Sequence, residues 1–191
     1  MTQTLFFTSD THFGHANVIK YSKRPFGNVN EMNEALIEKW NARVKPNDIV
    51  WHLGDFAFLP AVKAENILCR LNGKKRLILG NHDSVIEDNK QLHAYFELIE
   101  KKRVINIPDQ GVGKYNRQQI TLNHTPELTW ESGHHGAWML HGHCHGTTIH
   151  PWGGKIQDIG VDAPGMNYAP ISYEELKALM APRAFSKHHG D

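Results

Sequence analysis

The sequence predicts a mixed α/β sandwich, and three features of its patterning carry that prediction. Short apolar or β-branched runs recur along the chain, an amphipathic helical segment separates the first two, and strand and helix alternate early while strands dominate later. The runs are LFFTS (Leu5 to Ser9), IVWHL (Ile49 to Leu53), RLIL (Arg76 to Leu79), QITL (Gln119 to Leu122) and AWML (Ala137 to Leu140), and they read as buried strands. Between the first two lies EMNEALIEKWNARV, in which Met32, Leu36, Trp40 and Val44 share one face at helical spacing. A second helix is expected from Pro60, which suits a first helical turn, to about Leu71, where Asn72-Gly73 stops it. Ser172 and Glu175 have the spacing of a capping box ahead of Leu176, Leu179 and Met180. Residues 1–182 are therefore read as one domain, with 183–191 as a flexible tail.

Composition narrows the classes of function. A chain of 191 residues with 40% hydrophobic content can bury a sizeable single core. Its 21 basic and 20 acidic residues leave a formal charge of +1, which supplies no long-range field for nucleic acid or an anionic membrane. No apolar run approaches the ~20 residues that span a bilayer, and MTQTLFFTSD lacks the basic start and long apolar stretch of a secretory signal. A cytoplasmic protein is expected, with its two cysteines, Cys69 and Cys144, reduced. The anomaly is histidine, which occurs 14 times and often beside Asp, Asn or Gly.

Those histidines fall into an order. Each expected strand ends in a potential metal ligand: Asp10-Thr-His12, Gly54-Asp55, Gly80-Asn81-His82-Asp83, Asn123-His124 and His141-Gly-His143-Cys-His145. Side chains at the carboxyl ends of neighbouring strands converge on one crevice in α/β sheets, so ligands distant in sequence can form one site. A lone Asp-x-His is equally a turn or a helix cap. His143 and His145 point the same way if the segment is extended, which suits a metal but also a solvated strand face. Five such elements in consistent order are much harder to attribute to chance.

The order D-x-H, GD, GNHD, a lone His and GHCH resembles the calcineurin-like metallophosphoesterase superfamily, over motifs from Asp10 to His145. The resemblance implies a double β-sheet sandwich flanked by helices. It also implies that one metal takes Asp10, His12 and His145, the other Asn81, His124 and His143, and that Asp55 bridges them, while His82 acts on the substrate. Two divalent ions offset by Asp10, Asp55 and a bridging hydroxide would leave about one net positive charge to attract a phosphate anion. Ions ~3.5–4 Å apart can lower the pKa of a shared water and hold phosphoryl oxygens for in-line attack. Imidazole, carboxylate and amide ligands favour Mn, Fe, Co, Ni or Zn over Mg or Ca, with Mn the first expectation. In this scheme His82 would stabilise developing charge or protonate the leaving oxygen.

One departure from the superfamily matters. Many of its phosphoprotein phosphatases carry GD-x-x-D-R and GNHE, whereas this chain has GDFAF and GNHD, with Phe58 in place of the second Asp. The carboxylate that would orient the catalytic His is missing from its usual place, which argues against a protein phosphatase, and Asp83 is not an assured substitute. Around the site, His15 and Arg24 are candidates to reach the substrate phosphate, with a surface histidine and a structural arginine as equal alternatives. His141 is a candidate support for the ligands. His52 reads as a core residue, Cys144 as packing, and the loop from Asp109 to Arg117 as a candidate border of the pocket. Lys74-Lys75-Arg76 and Lys101-Lys102-Arg103 read as solvated strand flanks rather than a nucleic-acid surface. Trp130, Trp138 and Trp152 read as core or rim rather than a base-stacking pocket.

The expectation is therefore a phosphodiesterase acting on a small phosphorylated molecule, a nucleotide among the candidates, with no membrane or protein partner. A phosphomonoesterase, a nucleotide pyrophosphatase, a catalytically silent scaffold and a histidine-rich metal store are the alternatives.

Overall fold

The computed structural model describes residues 3–112, 115–151 and 153–185. In chain order its elements are β1 (Leu5–Thr8), α1 (Ala16–Tyr21), α2 (Val29–Arg43), β2 (Ile49–His52), α3 (Ala61–Arg70) and β3 (Lys74–Ile78). Two single-turn helices, α4 (Ser84–Glu87) and α5 (Lys90–His93), lead to β4 (Phe96–Glu100), β5 (Lys102–Pro108), β6 (Arg117–Asn123) and β7 (Trp138–His141). The chain then adds β8 (Ile156–Asp158), β9 (Ile171–Ser172) and α6 (Tyr173–Met180). One sheet has the order β4-β3-β2-β1-β9 and the other β5-β6-β7-β8. Both are mixed: β1 to β4 run parallel with β9 antiparallel, and β6, β7 and β8 run parallel with β5 antiparallel.

Side-chain alternation builds the layers. Phe6, Val50 and Leu77 face the helices and join Met32, Leu36, Trp40 and Leu68, whereas their neighbours Phe7, Trp51 and Ile78 turn to the other face and meet Ile120, Leu122, Trp138 and Leu140. The first sheet is thus buried on both faces, which is why its strands read as unbroken apolar runs. On the far face of the second sheet Met139 and Ile156 pack with Trp130 and Ala137. Trp130 and Trp138 are accordingly core residues, the former donating its Nε1–H to the Ala137 carbonyl at 2.8 Å. Trp152 lies outside the described residues.

The helices end where their sequences dictate. Asn28 caps α2 by accepting from the Asn30 and Glu31 N–H groups, and the chain turns extended at Val44, two residues before Pro46. Pro60 is the N-cap of α3, and the Ser172–Glu175 capping box is complete on α6. Residues 183–185 of the expected tail are described. Arg183 donates to the Ile156 carbonyl and to Gln157 Oε1, tying it to β8, and residues 186–191 lie outside the described residues.

Strands β4 and β5 leave a weak signal in the sequence because they alternate half-buried apolar residues with Glu and Lys. A single residue, Lys101, separates them, and there the chain passes from one sheet to the other. Four residues of the two basic clusters, on β3 and at the start of β5, are engaged in ion pairs: Arg76 and Lys74 with Glu97, Lys102 with Glu127 and Arg103 with Glu100.

The register sets the site. Thr8 pairs with His52 and His52 with Leu77, so β1, β2 and β3 finish level, as do β6, β7 and β8. The two finishing edges are joined where Ser9 bridges to Gly160. The described residues of the loop from Asp109 to Arg117 stand at the opposite end of β6, on the order of 20 Å from His124 at strand rise, and do not border the crevice.

His52 is buried on β2, with Nε2 3.0 Å from Thr11 Oγ1 and no hydrogen-bond partner for Nδ1. Burial pushes its pKa down to about 3, so folding requires the neutral ring. Its contribution is complete above the unfolded pKa of about 6.5 and is lost as pH falls toward 3. Urea unfolding between pH 7 and 4 should show stability falling more steeply for the native chain than for His52→Gln, by up to about 1.4 kcal/mol per pH unit. Parallel curves would mean that His52 takes up its proton without cost.

Candidate metal centre

Six segments meet at the joined edges, and the residues the sequence singles out there come together in two groups. Asp10, His12 and His145 place one donor atom each within 4.8 Å of one another, and Asp55, His124 and His143 do the same. Asp55 faces both groups, with Oδ2 3.5 Å from His12 Nε2 and Oδ1 3.5 Å from His124 Nε2. The Asn81 side-chain oxygen joins the second group, 3.0 Å from His124 Nε2 and 2.9 Å from His143 Nδ1. The first group is mostly buried, whereas Asn81 and His143 are exposed.

Proton bookkeeping shows what this arrangement requires. His124 Nδ1 lies 2.7 Å from the Leu53 carbonyl, which can only accept, so that nitrogen carries the proton. In the neutral ring Nε2 is then a lone pair, facing the oxygens of Asn81 and Asp55. His145 repeats the pattern. Its Nδ1 donates to Asp162 at 2.9 Å, and its Nε2 faces Asp10 Oδ1 at 4.0 Å. His12 Nε2 is buried without a hydrogen-bond partner, 3.8 Å from Asp10 Oδ1 and 3.5 Å from Asp55 Oδ2. Acceptors that face acceptors call for a cation between them, and imidazole, carboxylate and amide donors suit a divalent transition metal. These residues fit such an ion.

The loops hold unusual backbone conformations to achieve this. Asp10, His12, Asp55, His143 and His145 all have positive φ, between 47° and 68°. His143 and His145 therefore do not lie on one extended strand face. They sit in a tight turn after β7, and left-handed residues send the two rings to different groups. Gly142 is needed there, since an added Cβ would stand 2.2 Å from Asp10 Oδ2 and 2.1 Å from Ser9 Oγ. Gly54, at φ +94°, would press a Cβ to 2.5 Å from the Gly80 nitrogen.

The acid that the sequence left unassigned, Asp83, is a structural clasp. Its buried carboxylate accepts from the N–H groups of Asp55 (2.9 Å), Phe56 (2.8 Å) and Gly80 (2.8 Å), binding the β2 and β3 loops together. Burial pushes its pKa up, against the pull of those N–H groups. Its oxygens are engaged by these three N–H groups rather than by the His82 ring, so it does not replace the missing carboxylate. Phe58 fills that neighbourhood instead. Its ring stacks on His15 at 4.0 Å between centroids and lies 5.3 Å from His12 and 4.7 Å from His82.

His82 projects into solvent at the mouth, its ring 6.1 Å from that of His12, and its backbone N–H donates to Asp55 Oδ1 at 2.9 Å. His15 stands beside it, half-buried, where burial and neighbouring positive charge lower its pKa. Arg24 is a correction. Its guanidinium is fully buried, donating to Asp162 (2.8 Å) and to the backbone carbonyls of Thr11 (2.9 Å) and Asp10 (2.7 Å), and cannot reach a substrate phosphate. His141 meets no ligand side chain, but its Nδ1 lies 2.9 Å from the Gly142 carbonyl, within the turn that carries His143. The roles of Asp83 and Asp162 escape motif reading, because bonding to a backbone or to a distant ring leaves no spacing signature.

Two groups of His and Asp at the shared edge of a double sheet define a metallophosphoesterase type of centre. A family model for calcineurin-like phosphoesterases matches residues 4–163, and the chain belongs to that family. It is 36% identical over 181 residues to an uncharacterised protein of Methanocaldococcus jannaschii, covering 92% of this chain and 90% of that one. To the Gene 66 protein of Mycobacterium phage L5 it is 30% identical over 182 residues, covering 83% and 86%. A solved structure of a protein of unknown function from Aquifex aeolicus matches with a TM-score of 0.65 and 24% identity, over 93% of this chain and 100% of that one, a likeness of fold.

Replacing Asp83 by Ala strands three buried N–H groups. A loss on the order of 3 kcal/mol or more is expected in urea unfolding, with Asp83→Asn falling between Ala and the native residue. A change under about 0.5 kcal/mol, as for an ordinary surface site, would remove the clasp from the account.

Proposed function

We propose that the chain is a dinuclear-metal phosphodiesterase. Asp10, His12 and His145 hold one divalent ion, Asn81, His124 and His143 the other, and Asp55 spans the two. The observation that carries the reading is the set of imidazole nitrogens on His12, His124 and His145 that face carboxylate and amide oxygens. When bound, such a pair of ions supplies Lewis acidity and a water acidified enough to attack phosphorus in line. Mn is the first choice, with Fe, Zn, Ni and Co as the others that these donors accept.

The protein's own groups divide the remaining work. Asp55 sets the spacing between the two groups, since its oxygens face opposite histidines. His82, held at the mouth through its backbone bond to Asp55, is in place to donate a hydrogen bond or proton to an ester oxygen. Burial alone would raise the pKa of Asp10, but the surrounding imidazoles of His12, His124 and His145 hold it low, at about 2.

Charge favours a diester over a monoester. Two divalent ions, two carboxylates and a hydroxide leave about one positive charge, which matches a diester monoanion rather than a monoester dianion. Arg24 adds no free donor here, since its guanidinium is already paired beneath the site. The exposed mouth around Asn81, His82 and His143 admits a small phosphorylated molecule such as a nucleotide ester. Among the described residues no helix is long and apolar enough to cross a membrane, and Cys69 and Cys144 are free thiols, in keeping with a cytoplasmic setting.

Chelator-stripped protein titrated with Mn²⁺ and supplied with a chromogenic aryl phosphodiester, beside its monoester, tests the reading. Activity should return near two ions per chain and favour the diester. Two tightly held ions without turnover on either ester would point to a scaffold, and binding far above two to a metal store. His82→Ala should keep both ions yet lose turnover by about 10²–10⁴-fold, the scale of general acid–base help; an unchanged kcat would exclude His82 from the chemistry.

A further inference from the structure

The two groups of ligands are supported unequally. His145 donates to a buried carboxylate, Asp162, which lies within 3.0 Å of Nδ1 through both oxygens and is itself paired with Arg24 at 2.8 Å. The same Arg24 grips the carbonyls of Asp10 and Thr11, so one guanidinium joins the β1 loop to the residue that orients His145. The segment bearing Asp162 crosses behind Asp10, with the Val161 N–H donating to the Ser9 carbonyl at 3.0 Å. The backbone that carries Asp10 and Thr11 and the ring of His145 are thereby anchored before an ion arrives. In the other group His124 is oriented by a neutral carbonyl, and Asn81 and His143 are exposed.

We propose that Asp162, braced by Arg24, is a positioning residue that makes the Asp10, His12 and His145 position the tighter of the two, so that the centre fills in a fixed order. The inference rests on the dinuclear reading above. An imidazole whose far N–H meets a carboxylate is a more basic and better oriented ligand, and loss of such a partner typically weakens metal binding about 10–100-fold. The exposed group must instead immobilise Asn81 and His143 when it binds, at a cost in side-chain entropy.

Calorimetric titration of the chelator-stripped full chain with Mn²⁺ alone tests this without reference to turnover. The native chain should show two events of different affinity, and His143→Ala should abolish the weaker one. Asp162→Asn should weaken the tighter event about 10–100-fold and leave the weaker within about twofold, with Asp162→Glu restoring part of the loss. Should Asp162→Asn fail to fold, ring ¹⁵N shifts of the native protein decide, since Asp162 requires a proton on His145 Nδ1. A bare Nδ1, equal weakening of both events, no weakening of either, or loss of the tighter event in His143→Ala would overturn the proposal. Absence of two events in the native chain would instead overturn the dinuclear reading itself.

Discussion

Buried aspartates that accept backbone N–H groups from neighbouring loops hold this end of the molecule together. Asp83 takes three, from the loops after β2 and β3. Asp55 takes the His82 N–H, Asp10 the His143 N–H, and Asp158 those of Gly146 and Gly160. Each such bond is charge-assisted and shielded from water, so it is stronger than an ordinary turn bond. Most also tie a loop of one strand to the loop of another, the Asp83–Gly80 and Asp158–Gly160 bonds being local to one loop. The level strand ends of two sheets bring the loops close, and these bonds fix their conformations, including the positive-φ residues that would otherwise relax.

That solution creates an electrostatic debt at the centre. Asp10 and Asp55 are buried close to each other, and the histidines around them have their outward-facing nitrogens committed to Leu53 and Asp162. The inward lone pairs therefore meet oxygens. Water could satisfy few of these atoms, for His12 Nε2 and both carboxylates are almost wholly enclosed. Divalent cations at the two clusters would resolve the conflict in a way that neutral rearrangement of protons would not. Rigidity and charge are thus linked: the bonds that fix the ligands are the ones that leave their lone pairs unsatisfied.

Sequence patterning reveals the parts of this that depend on burial. The inner strands appear as apolar runs because both faces are covered, and α2 appears through Met32, Leu36 and Trp40. The ligands appear because each follows a strand. What stays hidden follows from chemistry without period. Strands β4 and β5 expose enough Glu and Lys to resemble a flank. His143 and His145 look like one strand face, since nothing in GHCH announces left-handed backbone. Arg24 looks like a phosphate ligand because an arginine buried under a site and one lining it have the same sequence. Asp83 and Asp162 act across 27 and 17 residues, on partners that only the fold supplies.

Phe58 shows how a local substitution alters the chemistry such a centre can perform. A carboxylate at this place could hydrogen-bond His82 and stabilise its cationic form, whereas an aromatic ring contacts the histidine through its face and offers no acceptor. Phe58 also packs against His15 and His12, and with 36% of its surface exposed it forms an apolar wall beside the ligands. The wall leaves no added negative charge to repel an anion, and with Arg24 held below it adds no positive charge either. Under the proposed dinuclear reading, affinity for phosphate would fall to the ions and their ligands, while the organic part of a substrate would meet a flat hydrophobic surface. On that proposal a diester, which carries one charge and two organic groups, would be better matched to that division than an ester whose recognition depends on a second anionic oxygen.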